Sequence, residues 1–418
     1  SAYDNLLIEP ETAKKFCLQA PFNKKPPQEN EPPKITIPDN LPLNFRSSTS
    51  TQASFGNILN ELSRGNTDLA SRIVTTSPDV TVSTNLGPWV NQRGVFSLDV
   101  RNDVFRDEKV ASAQKWLRHG TGQHFELGIA ENNLFIMLAA LGLSGPLFGT
   151  RLLPIGTLYD PFIARGLDSL NYACYQDARF MLVATPAGIT LAPEGGAHQS
   201  ISSPLIGIGQ PGLSSYEPAY ADELAVIMRW AFEYMQAEKG GSIYLRLSTR
   251  AIDQPSREMK PELENQIIKG AYWHIPPTDG ARIAIVYSGA VVPEVIEAYE
   301  QLKEEIPELG IMAITSYDRL YHDWQRSQVE NIEGRNNIDC HIINLLAPLH
   351  SNAILITVQD AHPATLSWLG SATGRKLLPL GVTEFGQSGN IRDLYRQYGI
   401  GADAIIDAAA RASIKHSN

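Results

Sequence analysis

The chain has 418 residues, 43% hydrophobic and 19% charged, a globular balance that suggests two or three domains. Its net charge of −10 excludes a broad basic nucleic-acid footprint, so a phosphate-rich ligand would need a local basic pocket. Cys17, Cys174 and Cys340 lie far apart without metal or disulfide spacing, which fits a reducing cytosol, and no apolar run reaches the ~18 residues of a membrane span.

In chain order, residues 1–52 read as an extended N-terminal arm. "APFNKKPPQENEPPKITIPDNLPLNF" is too rich in proline and mixed charge to fold alone, and a disordered linker shares that composition. The first residue is Ser1 rather than Met, which leaves processing open, and no signal-peptide pattern is visible. Across 53–252 a helix signal, "STQASFGNILNELSRG", leads into short apolar strands alternating with helices, among them "SRIVTTSPDVT", "ARFMLVATPAG", "YADELAVIMRWAFEYMQ" and "GSIYLRLS". That alternation predicts a parallel sheet covered by helices. A polar, proline-bearing linker is predicted at 253–280. Residues 281–418 repeat the pattern with strands "ARIAIVYSGA", "LGIMAITSYD" and "AILITVQD" and helices around "VPEVIEAYEQLKEEI", "ATLSWLGSATG" and "IRDLYRQYG". The expected fold class is α/β, with two parallel-sheet domains of three layers each.

One stretch raises a chemical question. "HFELGIAENNLF", His124 to Phe135, runs into "IMLAALGLSG" and reads as one helix of roughly four to five turns with Glu131 in its middle. At helical spacing Glu131 neighbours Leu127, Leu134, Phe135 and Leu138, so an acid faces an apolar surface. A buried carboxylate is destabilising unless a partner or a shifted pKa compensates.

Two further stretches stand out: "TTSPDVTVSTNLG", with Asp79, and "LYDPFIARGLDSLNYACYQDARFMLVATPAGITLAPEGGAHQS". Taken singly, each has a plain reading: a solvated Glu, a core Phe, a glycine turn followed by a His. In combination, Glu131, the Y-x-x-F-x-x-R run of Tyr159, Phe162 and Arg165, Ala187-Gly188, and Gly195, His198 and Gln199 resemble the thiamine-diphosphate enzymes of the transketolase and 2-oxoacid dehydrogenase superfamily. The Tyr159-to-His198 spacing is similar to that of deoxyxylulose-phosphate synthase, and "SPDVTVSTNLG" to the transketolase stretch that opens this domain. "YEPAYADELAVIMRWAFEYM", "AITSYDRL" and "TEFGQSGNIRDLYRQYGIGADAII" resemble the homodimeric-type decarboxylating component of bacterial pyruvate dehydrogenase. The resemblance covers roughly 53–418.

That resemblance implies a pyrimidine-binding domain at 53–252 and a transketolase-like C-terminal domain at 281–418. It implies thiamine diphosphate, with Glu131 on the pyrimidine ring nitrogen driving the tautomer whose amine takes the thiazolium proton. Phe162 would stack on the pyrimidine, and Tyr159 and Arg165 would join the cofactor contacts. His198 would hydrogen-bond substrate or shuttle a proton. Asp79 either orients a backbone or cofactor contact or serves as a turn or helix-capping Asp. Other histidines are expected to be structural or at the surface, with His124 and His322 the exceptions near active-site edges.

The family's "GDG" with a downstream Asn, which holds Mg2+ and through it the phosphates, has no match; Asp279-Gly280 precedes a strand and lacks that Asn. The metal ligands are therefore expected on a partner chain, in an alpha2beta2 assembly, with a lipoyl acyltransferase as a further partner. Where the resembled decarboxylating component carries "HEDGHSH" and "GFGRSD", this chain has "APEGGAH" and "EFGQSGN", with Gln387 in place of an Arg, which leaves the 2-oxo acid open. The expected function is the beta-type subunit of a cytoplasmic 2-oxo acid dehydrogenase of the pyruvate dehydrogenase type. The alternatives are half of a split transketolase and a non-catalytic regulatory subunit.

Overall fold

The structure is a computed structural model that describes residues 8–20, 32–44, 46–99, 107–111, 114–332 and 339–416. The remainder of the expected arm, 1–7, 21–31 and Phe45, lies outside the described residues. Within the arm, residues 32–44 carry no helix or strand, and Ile35 is buried and pinned to Gln236 through both its N–H (2.7 Å) and its carbonyl (3.2 Å). Pro10–Gln19 is instead a helix, with proline in its first turn, where the missing N–H is not needed. Strand β1 (Ser48–Thr49) ties the end of the arm to β10 (Ile252–Asp253).

The first domain is built on an eight-stranded sheet whose strand pairs are all parallel. It comprises β2 (Ile73–Ser77), β3 (Val95–Phe96), β4 (Arg118–His119), β5 (His124–Glu126), β6 (Leu153–Leu158), β7 (Met181–Ala184), β8 (Leu213–Tyr216) and β9 (Ser242–Arg246). Their spatial order is β4-β3-β5-β2-β6-β7-β9-β8. Side chains alternate across it. Ile73, Ile155, Met181, Val183 and Ile243 join a core with Phe55, Ile58 and Leu59 of helix Thr51–Arg64, which Ser50 caps by accepting Ala53 N–H. Leu158, Leu182, Ala184 and Tyr244 pack on the other face against Leu134, Phe135 and Leu138. Burial on both faces explains why these strands read as short apolar runs rather than as alternating ones.

The second domain carries β11 (Ala271–Ile275), β12 (Ile283–Ser288), β13 (Gly310–Ile314), β14 (Ile354–Gln359) and β15 (Lys376–Leu380), in the order β11-β13-β12-β14-β15. β11 is antiparallel to β13, and the other pairs are parallel. Ile283, Ile285 and Tyr287 face the core shared with Val295, Ala298 and Ala409, while Ala284 and Val286 face Leu320, Ile342 and Leu366. These are the two helix layers of a three-layer domain. The stretch 253–280, expected as a linker, holds helix Pro261–Lys269 and β11 itself. No helix of the described residues is long and apolar enough to cross a membrane.

Candidate active site

Every expected site residue follows the C-terminal end of one of four adjacent strands, β5-β2-β6-β7. Asp79 comes after β2, Glu131 after β5, Tyr159, Phe162 and Arg165 after β6, and His198 after β7. The chain crosses from one side of β2 to the other between β5 and β6, so these ends flank a topological switch point, where open α/β sheets place ligands.

Glu131 corrects the sequence reading. It is the first residue of helix Glu131–Gly142 rather than the middle of a longer one, because His124–Glu126 is a strand and Gly128 (φ 68°) turns the chain. Its carboxylate therefore sits at the positive end of the helix dipole. It is 8% exposed, beside Leu134, Phe135 and Leu138, which are fully buried. A partner compensates the burial: Arg165 Nη1 donates to Glu131 Oε1.

The Tyr159 and Phe162 rings stack 5.9 Å apart at 25°, and the His198 ring meets them edge-on at 6.0 and 5.7 Å. The short helical turn Asp160–Gly166 places Phe162 and Arg165 one turn apart, and the Arg165 guanidinium lies 3.7 Å from the Phe162 centroid. A planar, N–H-bearing group thus already stands between the Phe162 face and the Glu131 carboxylate, the pattern an aminopyrimidine ring needs. The Arg165 side chain is half exposed. His198 Nδ1 and Gln199 Oε1 are buried without hydrogen-bond partners; Gln199 Oε1 is packed against Gly386, so His198 Nδ1 is the polar atom left for a ligand to satisfy. These residues fit the pyrimidine half of thiamine diphosphate. No cluster of His, Cys, Asp or Glu suited to a metal occurs among the described residues.

Asp79 is placed differently from the others. Its side chain is exposed, and its N–H, in a left-handed conformation (φ 63°), donates to Glu126 Oε1 at 2.9 Å. His124 is fully buried, hydrogen-bonding Thr75 (2.9 Å) and Thr81 (3.2 Å) and lying 3.3 Å from Glu126. Burial opposes the charge on Glu126, but hydrogen bonds from His124, Thr81 and the Asp79 N–H hold its carboxyl below the usual range. His322 lies elsewhere, lining a cavity of about 580 Å³ with Arg319, Lys269 and His341 between β8 and helix Tyr317–Ile332.

Sequence reasoning missed the polar knot beneath the site. Arg246, at the end of β9, is buried and binds Asp160 (3.0 Å), Glu217 and the Asp360 carbonyl (3.0 Å), while Tyr244, Ser200 and Ser203 donate to Asp160. Burial, only partly countered by Arg246 and reinforced by Asp160 and Asp360, pushes the Glu217 carboxyl up to about 7. Burial also raises Asp360. The available signal was a lone Arg inside the apolar strand "GSIYLRLS".

Comparison with known proteins agrees with this geometry. The family model of the pyruvate dehydrogenase E1 component middle domain matches residues 45–253, half of the chain. The pyruvate dehydrogenase E1 component of Escherichia coli K12 is 26% identical over 381 residues, covering 86% of this chain and 41% of that protein. The chain therefore spans about two-fifths of the length of that relative. Among solved structures, transketolase from Campylobacter jejuni matches with a TM-score of 0.66 at 16% identity, over 96% of this chain and 50% of that one. A split-gene transketolase, in an inactive beta4 tetramer, matches with a TM-score of 0.57 at 19% identity, over 87% of this chain and 98% of that one. The buried acid at a strand end, the aromatic slot and the shared sequence together mean that this chain belongs to the pyruvate dehydrogenase E1 middle-domain family, within the thiamine-diphosphate-dependent transketolase and 2-oxoacid dehydrogenase superfamily.

Proposed function

We propose that this chain is the beta-type subunit of a thiamine-diphosphate-dependent 2-oxo acid dehydrogenase, acting on pyruvate or a related 2-oxo acid and passing the acyl group to a lipoyl carrier. The observation that carries the reading is the convergence of the Glu131 carboxyl, the Phe162 ring and the His198 ring at the ends of β5, β6 and β7. When bound, thiamine diphosphate supplies a nucleophilic carbon and an electron sink for decarboxylation. Glu131 would hold a proton at the pyrimidine ring nitrogen. Phe162, with Tyr159 behind it, would cover the ring face and exclude water. Arg165 would pair with Glu131 in the free chain and move to the rim of the slot when the ring enters. His198 would present its unpartnered Nδ1 to the substrate.

The phosphates and Mg2+ fall to a second subunit in this reading. Ile129 (81% exposed), just before the helix that Glu131 begins, and Ile136 (54%), within it, are large apolar side chains open to solvent, of the kind a partner covers. The near-complete match to a split-gene transketolase chain supports a two-subunit enzyme and keeps ketol transfer between sugars as the second reading. The resemblance of "TEFGQSGNIRDLYRQYGIGADAII" favours the 2-oxo acid.

Reconstituting the chain with its partner, Mg2+ and thiamine diphosphate tests this. Carbon dioxide release from a panel of 2-oxo acids is the expected result. Ketol transfer from sugar phosphates without decarboxylation would replace the leading reading by the second.

A further inference from the structure

The segment that carries His198 is clamped by the second domain. At its start, Ile189 N–H donates to both carboxylate oxygens of Asp360, at 3.0 and 2.9 Å, and Tyr395 donates to the same carboxylate at 2.8 Å. At its end, Gln199 Nε2 donates to the Gln387 carbonyl at 3.0 Å, and Gly389 N–H to the Ala192 carbonyl at 3.3 Å. Between these points the backbones of Gly196 and Gly386 meet without room for a side chain. A Cβ on Gly196 would overlap the Gly386 carbonyl, and one on Gly386 would overlap the Gln199 side chain.

His198 itself ends a three-residue helical turn, Gly196–His198, that buries no residue of its own. Such a turn has little internal packing to fix its position. The His198 ring touches Tyr159 and Phe162 only edge-on, so small displacements of the turn re-aim its buried Nδ1. Gln387 acts here through its carbonyl, which a side-chain replacement leaves in place.

We propose that Asp360 and the Gly386–Gln387 peptide are positioning residues for His198, so that the second domain sets the substrate side of the active site. The proposal rests on the reading of His198 as the group that meets substrate.

Histidine-labelled full-length chain, followed by NMR with the His198 signal assigned through His198→Gln, tests the geometry without any ligand. Gly386→Ala is expected to move the His198 ring signals while those of His119, on β4 at the far edge of the first sheet, stay put. Gln199→Ala, which removes the hydrogen bond to the Gln387 carbonyl without forcing a collision, is expected to move the same signals. A folded Gly386→Ala chain with unchanged His198 ring signals overturns the proposal. In the assembled enzyme, Asp360→Asn should lower kcat by up to about 10²-fold through misplacement, while proton exchange at the thiazolium carbon remains normal. Loss of that exchange as well would mean general damage to the site and would also overturn it. If the wild-type complex turns over no 2-oxo acid, the functional reading fails while the NMR result still decides whether the second domain positions His198.

Discussion

The two sides of the site are held in different ways. On the Glu131 side, the groups named come from the first domain: the helix that Glu131 begins, Phe162 and Arg165 from the turn after β6, and Leu134, Phe135 and Leu138 beneath. On the His198 side, the turn leans on Asp360, Gly386 and Gln387 of the second domain. The half proposed to activate the cofactor is thus a local construction, whereas the half proposed to meet substrate depends on how two domains pack. Damage to the first should abolish activation, and damage to the second should spare it.

The sharpest way to break that contrast is Glu131→Gln, which keeps the shape and removes the acid. Turnover of the assembled enzyme should fall by about 10²–10⁴-fold. The melting temperature should change little, because the relief of burying a charge is offset by the loss of its pairing with Arg165 and with the helix N-terminus. A rate loss within tenfold, measured in steady state, would leave Glu131 a structural residue. His198→Gln should lower turnover by roughly 10–10²-fold, below the range for full acid–base loss. Cofactor affinity, read by calorimetry, should not change. A large loss of affinity would place His198 on the cofactor rather than the substrate.

Smaller effects sharpen the picture. Phe162→Leu removes a stacking face worth about 0.5–1.5 kcal/mol, so thiamine diphosphate should bind roughly tenfold more weakly or less. Equal affinities in a direct titration would deny Phe162 its place on the ring. The smallest effect concerns the knot under both sides. Glu217 is raised from 4.5 to about 7, so the folded chain holds this proton more tightly than the unfolded one. Its contribution to stability is complete below about pH 4.5 and is lost as pH rises to about 7. Glu217→Gln should flatten that part of the melting-temperature profile, a change on the order of a few degrees. A profile that still slopes like wild type assigns the dependence to other groups.

Much of this was legible in the sequence. The strands β6, β7, β9, β12 and β14 announced themselves as short apolar runs, and the residues after β5, β6 and β7 were read by type and spacing. What failed did so for physical reasons. β5 has three residues, too few to show period two, and its His124 and Phe125 fused with the apolar helix that follows. Gly128 was the overlooked sign of a break. The helix at Pro10–Gln19 hid behind prolines farther along the arm. The Arg165–Glu131 pair spans 34 positions, and the Ile189–Asp360 contact spans 171. Such pairs are products of packing, and no local pattern encodes them.

The central claim is that activation belongs to Glu131 alone and positioning of substrate to the His198 side. The most direct test is the rate of proton exchange at the thiazolium carbon in the assembled complex, compared among wild type, Glu131→Gln and His198→Gln. The account predicts a loss of orders of magnitude in Glu131→Gln and a normal rate in His198→Gln. Exchange at the wild-type rate in Glu131→Gln would contradict it.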